Sequence, residues 1–148
     1  MTYVWDTNIF IKAVRNPQFL TDLNNQYDCF NPSNQLLISA VTVGELYAFA
    51  QRNRWGSKRV ANMLELLKFA KPVPVTDNMT IVQMYADIDT YSQSHHPTLK
   101  LPISARKMGK NDLWIAATTA IANATLLSTD NDFDHLEGVF ISFIKIPD

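Results

Sequence analysis

Four acidic residues stand beside the ends of predicted strands or in the first turns of predicted helices: Asp6, Glu45, Asp112 and Asp130. They come from remote segments of the chain, so only the fold can bring them together. Carboxylates that share a site without a counter-cation raise one another's pKa by repulsion, and such sites commonly bind hard divalent cations. Oxygen-only ligands favour Mg²⁺ or Mn²⁺ over zinc. These residues therefore indicate metal-assisted chemistry.

Each of these acids also has a purely structural interpretation. Asp6 can cap the helix that follows it, and Glu45 forms a capping-box pattern with Thr42. Asp112 is a favourable first-turn charge on a helix dipole, and 130–132 is a natural turn sequence. Against these interpretations, Glu45 and Asp112 each begin an apolar helical stripe. A carboxylate on a buried stripe is costly unless something compensates it, which favours a shared site.

The hydrophobic pattern alternates between the two periods that are typical of strands and helices. Strands are predicted at Thr2–Trp5, Leu36–Ser39, Val73–Val75, Thr125–Ser128 and Val139–Ile144. Helices are predicted at Thr7–Val14, Pro17–Asn25, Val41–Asn53, Ser57–Ala70, Asp77–Ser94, with Asp77 as N-cap, and Gly109–Asn123. Strands separated by helices predict an α/β fold with a parallel sheet covered on both faces. Ligands of such sheets bind beyond the carboxyl ends of the strands, where the four acids are expected.

Length and composition describe an ordinary globular chain. With 148 residues, 47% apolar and 18% charged residues, it is neither disordered nor fibrous, and no boundary divides 1–148, so a single domain is expected. No apolar run reaches the roughly 18 residues of a membrane span, and the first residues lack the pattern of a signal peptide. A lone Cys29 is typical of a reducing compartment. We expect a cytoplasmic protein with no membrane partner.

Charge is segregated along the chain although the net charge is only -1. Six basic residues against one acid occupy 51–71, and four more basic residues occupy 100–110. An acidic site repels nucleic acid unless a basic rim attracts its backbone. The candidates for such an RNA-binding rim are Lys110, which directly precedes the Asn111-Asp112 pair, with Arg52, Arg54 and Lys107. For any one of them, a solvated surface charge is the simpler interpretation.

Four segments together resemble the PIN-domain family, most closely the VapC-like toxins of bacterial toxin–antitoxin pairs. They are Val4–Asn8 (VWDTN), Ile38–Leu46 (ISAVTVGEL), Asn111–Ala117 (NDLWIAA) and Leu127–Phe133 (LSTDNDF). Each segment is short, but their order and combination span essentially the whole chain. The resemblance implies a three-layer α/β/α sandwich with a mostly parallel central sheet. It also implies a metal-dependent endoribonuclease that uses Mg²⁺ or Mn²⁺ to hydrolyse RNA.

The same resemblance assigns roles to individual residues. It makes Asp6 and Asp112 direct metal ligands, and Glu45 and Asp130 direct or water-mediated ones. Three polar residues match positions that line the pocket: Thr7, Asn8 and Thr129. The resemblance further implies a homodimer and a cognate antitoxin protein that covers the metal site. We expect that partner on the Val41–Ala70 helical pair, near Phe49, Trp55, Leu66 and Leu67.

Two departures from the family pattern leave questions open. The last motif offers Asp130, Asp132 and Asp134, so either Asp130 or Asp132 is the fourth acid, with Asp130 preferred. The segment His95–Arg106 is longer than usual for the family and is either a specificity insertion or inert.

Rival functions differ in how the residues fit them. A phosphatase of the haloacid dehalogenase type needs a second Asp where Asn8 stands, and a calcium loop starting at Asp130 has His135 in place of its Gly. The serious alternative is a catalytically inactive PIN-like module that binds RNA or protein. The presence of all four acids favours the enzyme over that alternative.

Overall fold

A computed structural model describes residues 1–75 and 79–148, and this part of the chain forms one five-stranded sheet. The strands are β1 (Thr2–Trp5), β2 (Gln35–Ser39), β3 (Lys71–Val73), β4 (Thr125–Ser128) and β5 (Ser142–Lys145). All neighbouring strands are parallel, in the order β3-β2-β1-β4-β5. Six α-helices connect them: α1 (Thr7–Arg15), α2 (Pro17–Tyr27), α3 (Ala40–Arg52), α4 (Ser57–Leu67), α5 (Met79–Ser92) and α6 (Lys110–Ile121). A short 3-10 helix at Asp134–Leu136 follows β4.

Helices cover both faces of the sheet because successive strand residues point to opposite sides. Tyr3 and Trp5 of β1 pack in one core with buried side chains of α1 to α4. Val4 packs in a second core with α5, α6 and the segment after β4. The alternation Leu36, Leu37, Ile38 divides β2 between the same two cores. The predicted three-layer α/β/α sandwich with a parallel sheet is therefore confirmed.

The strand order reverses direction at β1, which pairs with β2 on one side and β4 on the other. The chain winds outward from β1 through β2 to β3, then crosses to β4 and β5. The carboxyl ends of the two central strands form a crevice at such a reversal, because their connecting helices leave to opposite faces of the sheet. Asp6 follows β1 directly, and Asp130 follows β4 by two residues. The topology therefore places both acids at this crevice.

Two strands occupy different residues from those predicted. The edge strand was expected at Val73–Val75 but is Lys71–Val73, where Ile38 faces Pro72, and Pro74, which has no N–H, follows its end. The last strand was expected at Val139–Ile144 but begins only at Ser142. The apolar residues before it form a turn instead, in which Gly138 has a φ of 74° and the Leu136 carbonyl accepts from three successive amides. Burial of Ile141 explains why the turn resembles a strand in sequence.

Several helix ends also differ from the prediction. Helix α4 ends at Leu67 rather than Ala70, and α5 ends at Ser92 rather than Ser94. The expected N-cap Asp77 lies outside the described residues. Within the described residues, no helix is both long and apolar enough to cross a bilayer.

Helix α6 ends two residues before the predicted Asn123. The Ala124 amide donates to the Thr119 carbonyl and the Asn123 amide donates to the Ala120 carbonyl, which is the Schellman pattern. Asn123 consequently has a φ of 49°. Glycine adopts this left-handed conformation without a steric cost, whereas a side chain with a Cβ does not.

We predict that Asn123→Ala lowers the free energy of unfolding by about 1 kcal/mol. In the left-handed conformation the Cβ of alanine is too close to the following carbonyl oxygen, and alanine lacks the short polar side chain with which Asn forms local hydrogen bonds. Asn123→Gly, the matched variant, should be at least as stable as the wild type. Urea denaturation of the three proteins measures both effects. Equal stability of the alanine and glycine variants would contradict the left-handed helix end.

Candidate active site

Asp6 is the buried centre of the candidate site. Its side chain is 4% exposed, and its two carboxylate oxygens have different partners. Oδ1 accepts from the Thr7 amide at 2.7 Å, which makes Asp6 the N-cap of α1, and Oδ2 accepts from the Ser128 hydroxyl at 2.7 Å. The pKa of Asp6 is raised to about 6, chiefly by burial and to a smaller extent by the Asp130 and Glu45 charges, against the lowering effect of these two hydrogen bonds. Capping and membership of an acidic cluster are therefore both true of Asp6.

Glu45 faces Asp6 from the second turn of α3. The Thr7 hydroxyl lies 2.7 Å from Glu45 Oε1, to which it donates, and 3.1 Å from Thr42 Oγ1. The capping box expected between Thr42 and Glu45 is wrong, because α3 begins at Ala40 and its N-cap is Ser39, whose hydroxyl accepts from the Val41 amide. The Glu45 carboxylate therefore points toward β1 and α1 rather than back along its own helix.

Asp112 lies in the first turn of α6, on the other face of the sheet from α3. Its Oδ2 lies 3.8 Å from the position that a Cβ on Gly109 would occupy, so the carboxylate lies directly beside the N-cap of α6. The pKa of Asp112 is raised to about 7, chiefly by burial and then by the charges of four carboxylates: Asp6, Asp132, Glu45 and Asp130. Acids from four segments thus act on one another electrostatically at the rim of the sheet.

Asn8 and the residues after β4 hold the fourth acid. The Asn8 side-chain amide donates to Asp130 Oδ2 at 2.9 Å, and its Oδ1 accepts from the Thr129 amide at 3.4 Å. The Asp130 amide donates to the Ser128 hydroxyl, which itself donates to Asp6. Asp132 is exposed and has no hydrogen-bond partner among the described residues. Asp130 is therefore the better fixed of the two candidates for the fourth acid.

The cluster has the donor set of a site for a hard cation. Within 1–75 and 79–148, no ion pair neutralises any of its carboxylates, since the ion pairs there involve other acids. Carboxylate oxygens with neighbouring hydroxyl and amide groups suit Mg²⁺ or Mn²⁺. Among the same residues, no three acidic, His or Cys side chains already have the spacing of metal ligands. A bound ion would thus require rotation of at least one carboxylate.

The predicted basic rim is only partly near this cluster. Lys110 lines a cleft of about 470 Å³ together with Glu45 and Asp112. Arg52 lies over the Phe49 ring, 5.9 Å from its centroid. Arg54 and Lys107 are exposed and line neither this cleft nor the one described next.

A second cleft, of about 650 Å³, adjoins the acids on the α1 side and contains two cations that the sequence interpretation missed. Asn8, Lys12 and Arg15 line it together with Thr129 and Asp130. Their spacing of four and three residues puts Asn8, Lys12 and Arg15 on one face of α1. That spacing, directly after the Asp6 motif, was a signal in the sequence that could have identified them.

The long loop expected at His95–Arg106 is tied to the turn that carries the acids. Arg106 Nη1 donates to Asp134 Oδ1 at 2.7 Å and to the Asn131 carbonyl at 3.2 Å, and it lies 3.2 Å from His135 Nδ1. The Ser92 hydroxyl donates to Met108 Sδ at 3.4 Å, so its oxygen accepts from His135 Nε2 at 2.7 Å and Nδ1 of the neutral ring carries no proton. Burial and the Arg106 charge lower the pKa of His135, in agreement with a neutral ring.

We predict that Arg106→Ala loosens both the loop and the acidic turn, because one guanidinium joins them. Hydrogen exchange by mass spectrometry should show faster exchange in peptides covering 93–108 and 130–136. Lys107→Ala, which removes the neighbouring exposed cation, should leave both peptides unchanged. Faster exchange in the loop alone would show that the turn is held independently of Arg106.

We predict that Asp112→Asn stabilises the metal-free protein at pH 8. A carboxyl whose folded pKa is raised from 3.8 to about 7 favours folding while it is protonated, and this contribution is lost as the pH rises from about 4 to about 7. The amide has no such loss. After a discount for solvent screening of this partly exposed group, we expect a gain of about 1 kcal/mol at pH 8 and little difference at pH 4.

Urea denaturation in EDTA at both pH values measures this difference. The control is Asp22→Asn, since Asp22 is an exposed acid of α2 outside the cluster. A loss of stability in Asp112→Asn at both pH values would mean that the helix-dipole contribution of Asp112 outweighs the repulsion within the cluster.

Comparison with known proteins agrees with this architecture. The chain is 29% identical over 131 residues to "Ribonuclease VapC1" of Haemophilus influenzae strain R2866, with 86% of each chain covered. Its fold resembles that of VapBC2 from Rickettsia felis bound to a promoter DNA fragment (TM-score 0.77, 19% identity, 98% of both chains). It also resembles VapBC-1 from nontypeable Haemophilus influenzae (TM-score 0.72, 22% identity, 98% of both chains).

A model of one protein family matches nearly all of the chain. The match covers residues 3–139 and includes β1 from its second residue, β2 to β4, helices α1 to α6 and every acid of the cluster. The order of the acids, the parallel sheet and this match agree. The chain belongs to the PIN domain family.

Proposed function

We propose that this protein is a metal-dependent endoribonuclease and the toxin of a toxin–antitoxin pair. The observation that carries the proposal is the cluster of carboxylates at the reversal of strand order, where burial and mutual repulsion raise the pKa of Asp6 and Asp112. The PIN domain match and the ribonuclease relatives support the reaction. The same support favours the enzyme over a catalytically inactive module.

The proposed cofactor is Mg²⁺ or Mn²⁺, which when bound lowers the pKa of a water and stabilises charge on the phosphate that is attacked. Asp6 and Asp112 are the proposed direct ligands. Glu45 and Asp130 bind directly or through water, with Asp132 as the alternative to Asp130. No Ser-His-Asp or Cys-His arrangement is needed for this reaction.

The neutral polar residues have the role of holding the acids in place. Thr7 holds Glu45, Ser128 holds Asp6, and Asn8 holds Asp130. Such hydrogen bonds fix the direction of a ligand's lone pairs and reduce the cost of ordering it when an ion binds. Thr129 contributes its amide to Asn8, and its hydroxyl is available to orient substrate or water.

Lys110 is the proposed contact to the RNA backbone on the α6 side, because it lines the same cleft as Glu45 and Asp112. Arg52, Arg54 and Lys107 are the further proposed contacts. Arg52 lies over the Phe49 ring, which lines the cleft on the α1 side. Arg54 and Lys107 line neither cleft, so long-range attraction of the polyanion is a better role for these two than a fixed contact.

A cognate antitoxin is the proposed protein partner, since the structural neighbours include toxin–antitoxin complexes. We expected it on α3 and α4 near Leu66, but Leu66 is only 6% exposed and packs in the core. Tyr47 and Leu64 are the exposed apolar side chains of these two helices. A homodimer, a single-domain organisation of 1–148 and a cytoplasmic location complete the proposal.

We predict that the purified protein cleaves RNA only with added Mg²⁺ or Mn²⁺ and that EDTA stops the cleavage. The substrate is a mixed-sequence RNA with a fluorophore and a quencher, compared with DNA of the same sequence. Asp112→Asn should lower the rate by about 100-fold or more, the scale on which removal of charge stabilisation acts.

Any cleavage that remains with Asp112→Asn, purified in the same way, measures contaminating ribonuclease. Asp22→Asn is the control for loss of an acid outside the cluster. A wild-type protein that binds RNA equally with and without metal and never cleaves it would favour the inactive module instead.

A further inference from the structure

The second cleft, lined by Asn8, Lys12 and Arg15 of α1 and called the α1 cleft below, extends well beyond the acidic cluster. It is about 650 Å³ in volume, within the range of roughly 300–1,000 Å³ that is typical of ligand sites. One end is formed by Asn8 and Asp130, which belong to the acidic cluster. Beyond them it extends past Lys12 and Arg15 of α1, the Phe49 ring of α3 and the Asp148 side chain. The cleft therefore leads away from the acids toward two cations and an aromatic ring.

The acidic cluster contributes to two clefts. Glu45 and Asp112 line the one with Lys110, and Asp130 lines the one with Lys12 and Arg15. Asp6 connects the two groups of acids through hydrogen bonds. The Ser128 hydroxyl donates to Asp6 and accepts from the Asp130 amide, and Thr7, the residue after Asp6, donates to Glu45. A single strand with its reacting phosphate at the acids would thus have a cation-bearing cleft available to a neighbouring nucleotide.

Lys12 already holds an anion in this cleft. Its Nζ lies 3.1 Å from Asp148 Oδ1 and 4.8 Å from the centroid of the Phe19 ring. The Asp148 side chain is 88% exposed, and ion pairs with so exposed a partner contribute little to stability. Arg15 is exposed and has no ion-pair partner among the described residues. The arrangement suits a phosphate that displaces Asp148 from Lys12 and gains Arg15.

We propose that the α1 cleft binds the nucleotide next to the reacting phosphate, with a backbone phosphate on Lys12 and Arg15, and that Asp148 competes with the RNA for Lys12. The Phe49 ring supplies an aromatic surface against which a base or sugar can pack. This inference rests on the proposed function, because it takes RNA to be the substrate, and it adds a site and a competing residue on the chain itself.

The test measures binding without cleavage. Fluorescence anisotropy of a short labelled single-stranded RNA is recorded in EDTA at several salt concentrations, with the full chain and four variants: Lys12→Gln, Arg15→Gln, Asp148→Asn and Lys145→Gln. The last variant removes an exposed cation of β5 that lies outside both clefts. It therefore controls for the change in net charge.

Lys12→Gln and Arg15→Gln should each weaken RNA binding by about 5-fold or more relative to Lys145→Gln. Each should also lower the slope of log K against log salt by about 0.7, the value for one lost phosphate contact on a single strand. Asp148→Asn should tighten binding, and this gain should vanish in the double variant with Lys12→Gln. In the metal-dependent cleavage assay, Lys12→Gln and Arg15→Gln should raise KM and leave kcat nearly unchanged.

Two results would overturn the inference. If Lys12→Gln and Arg15→Gln bind RNA like Lys145→Gln while the wild type still cleaves RNA, the α1 cleft is not a nucleotide site and the nuclease proposal stands. If Asp148→Asn weakens binding as Lys12→Gln does, the ion pair is structural and does not compete. A wild type that binds RNA through Lys12 and Arg15 but never cleaves it would instead refute the nuclease proposal alone.

Discussion

The buried carboxylate of Asp6 is the constraint on which the site depends. Removing a charged group from water is expensive, and two short hydrogen bonds from Thr7 and Ser128 offset only part of that cost. The Ser128 hydroxyl reaches Asp6 because β1 and β4 are neighbours, so that the end of one strand meets the end of the other. The Thr7 amide follows Asp6 directly in the chain. The central strand pair therefore positions the carboxylate, and the part of the cost that is not offset raises its pKa.

The polar side chains that follow Asp6 bind acids on different elements. Thr7 joins α1 to α3, and Asn8 joins α1 to the residues after β4. Each contact is made by the first residues of α1, whose N-cap is Asp6 itself. The beginning of one helix thus serves as the common support for acids from three segments. A capping role and a ligand role are compatible, since one carboxylate oxygen accepts from the helix while the other faces β4.

Much of the fold could be predicted because the apolar periodicity marks the buried faces directly. Strands β1 and β4 are apolar on both sides, and the acids follow their ends by one or two residues. Edge strands were less predictable: β3 contains Pro72, and the apolar residues before β5 pack as a turn rather than pair as a strand. The apolar stripe that begins at Glu45 correctly favoured the shared site over a local capping box, but the bond it accepts comes from Thr7, which is remote in sequence and could not be predicted from local pattern. Lys12 and Arg15 were missed because basic residues were sought as clusters in consecutive segments of the sequence. Two cations three residues apart on one helix face do not form such a cluster.

The bonds of Arg106 and His135 have a structural consequence for evolution of the site. Segment 93–108 is held at Ser92 and Arg106, and both attachments meet the His135 ring. Between these anchors Leu101 is buried in the core with α5 and α6, so only the exposed residues of the loop can change without disturbing that packing. Replacement of His135 would remove the contacts that hold both ends of the loop, at Ser92 and Arg106. Substitution is therefore tolerated at the exposed loop residues and restricted at the residues that anchor the loop.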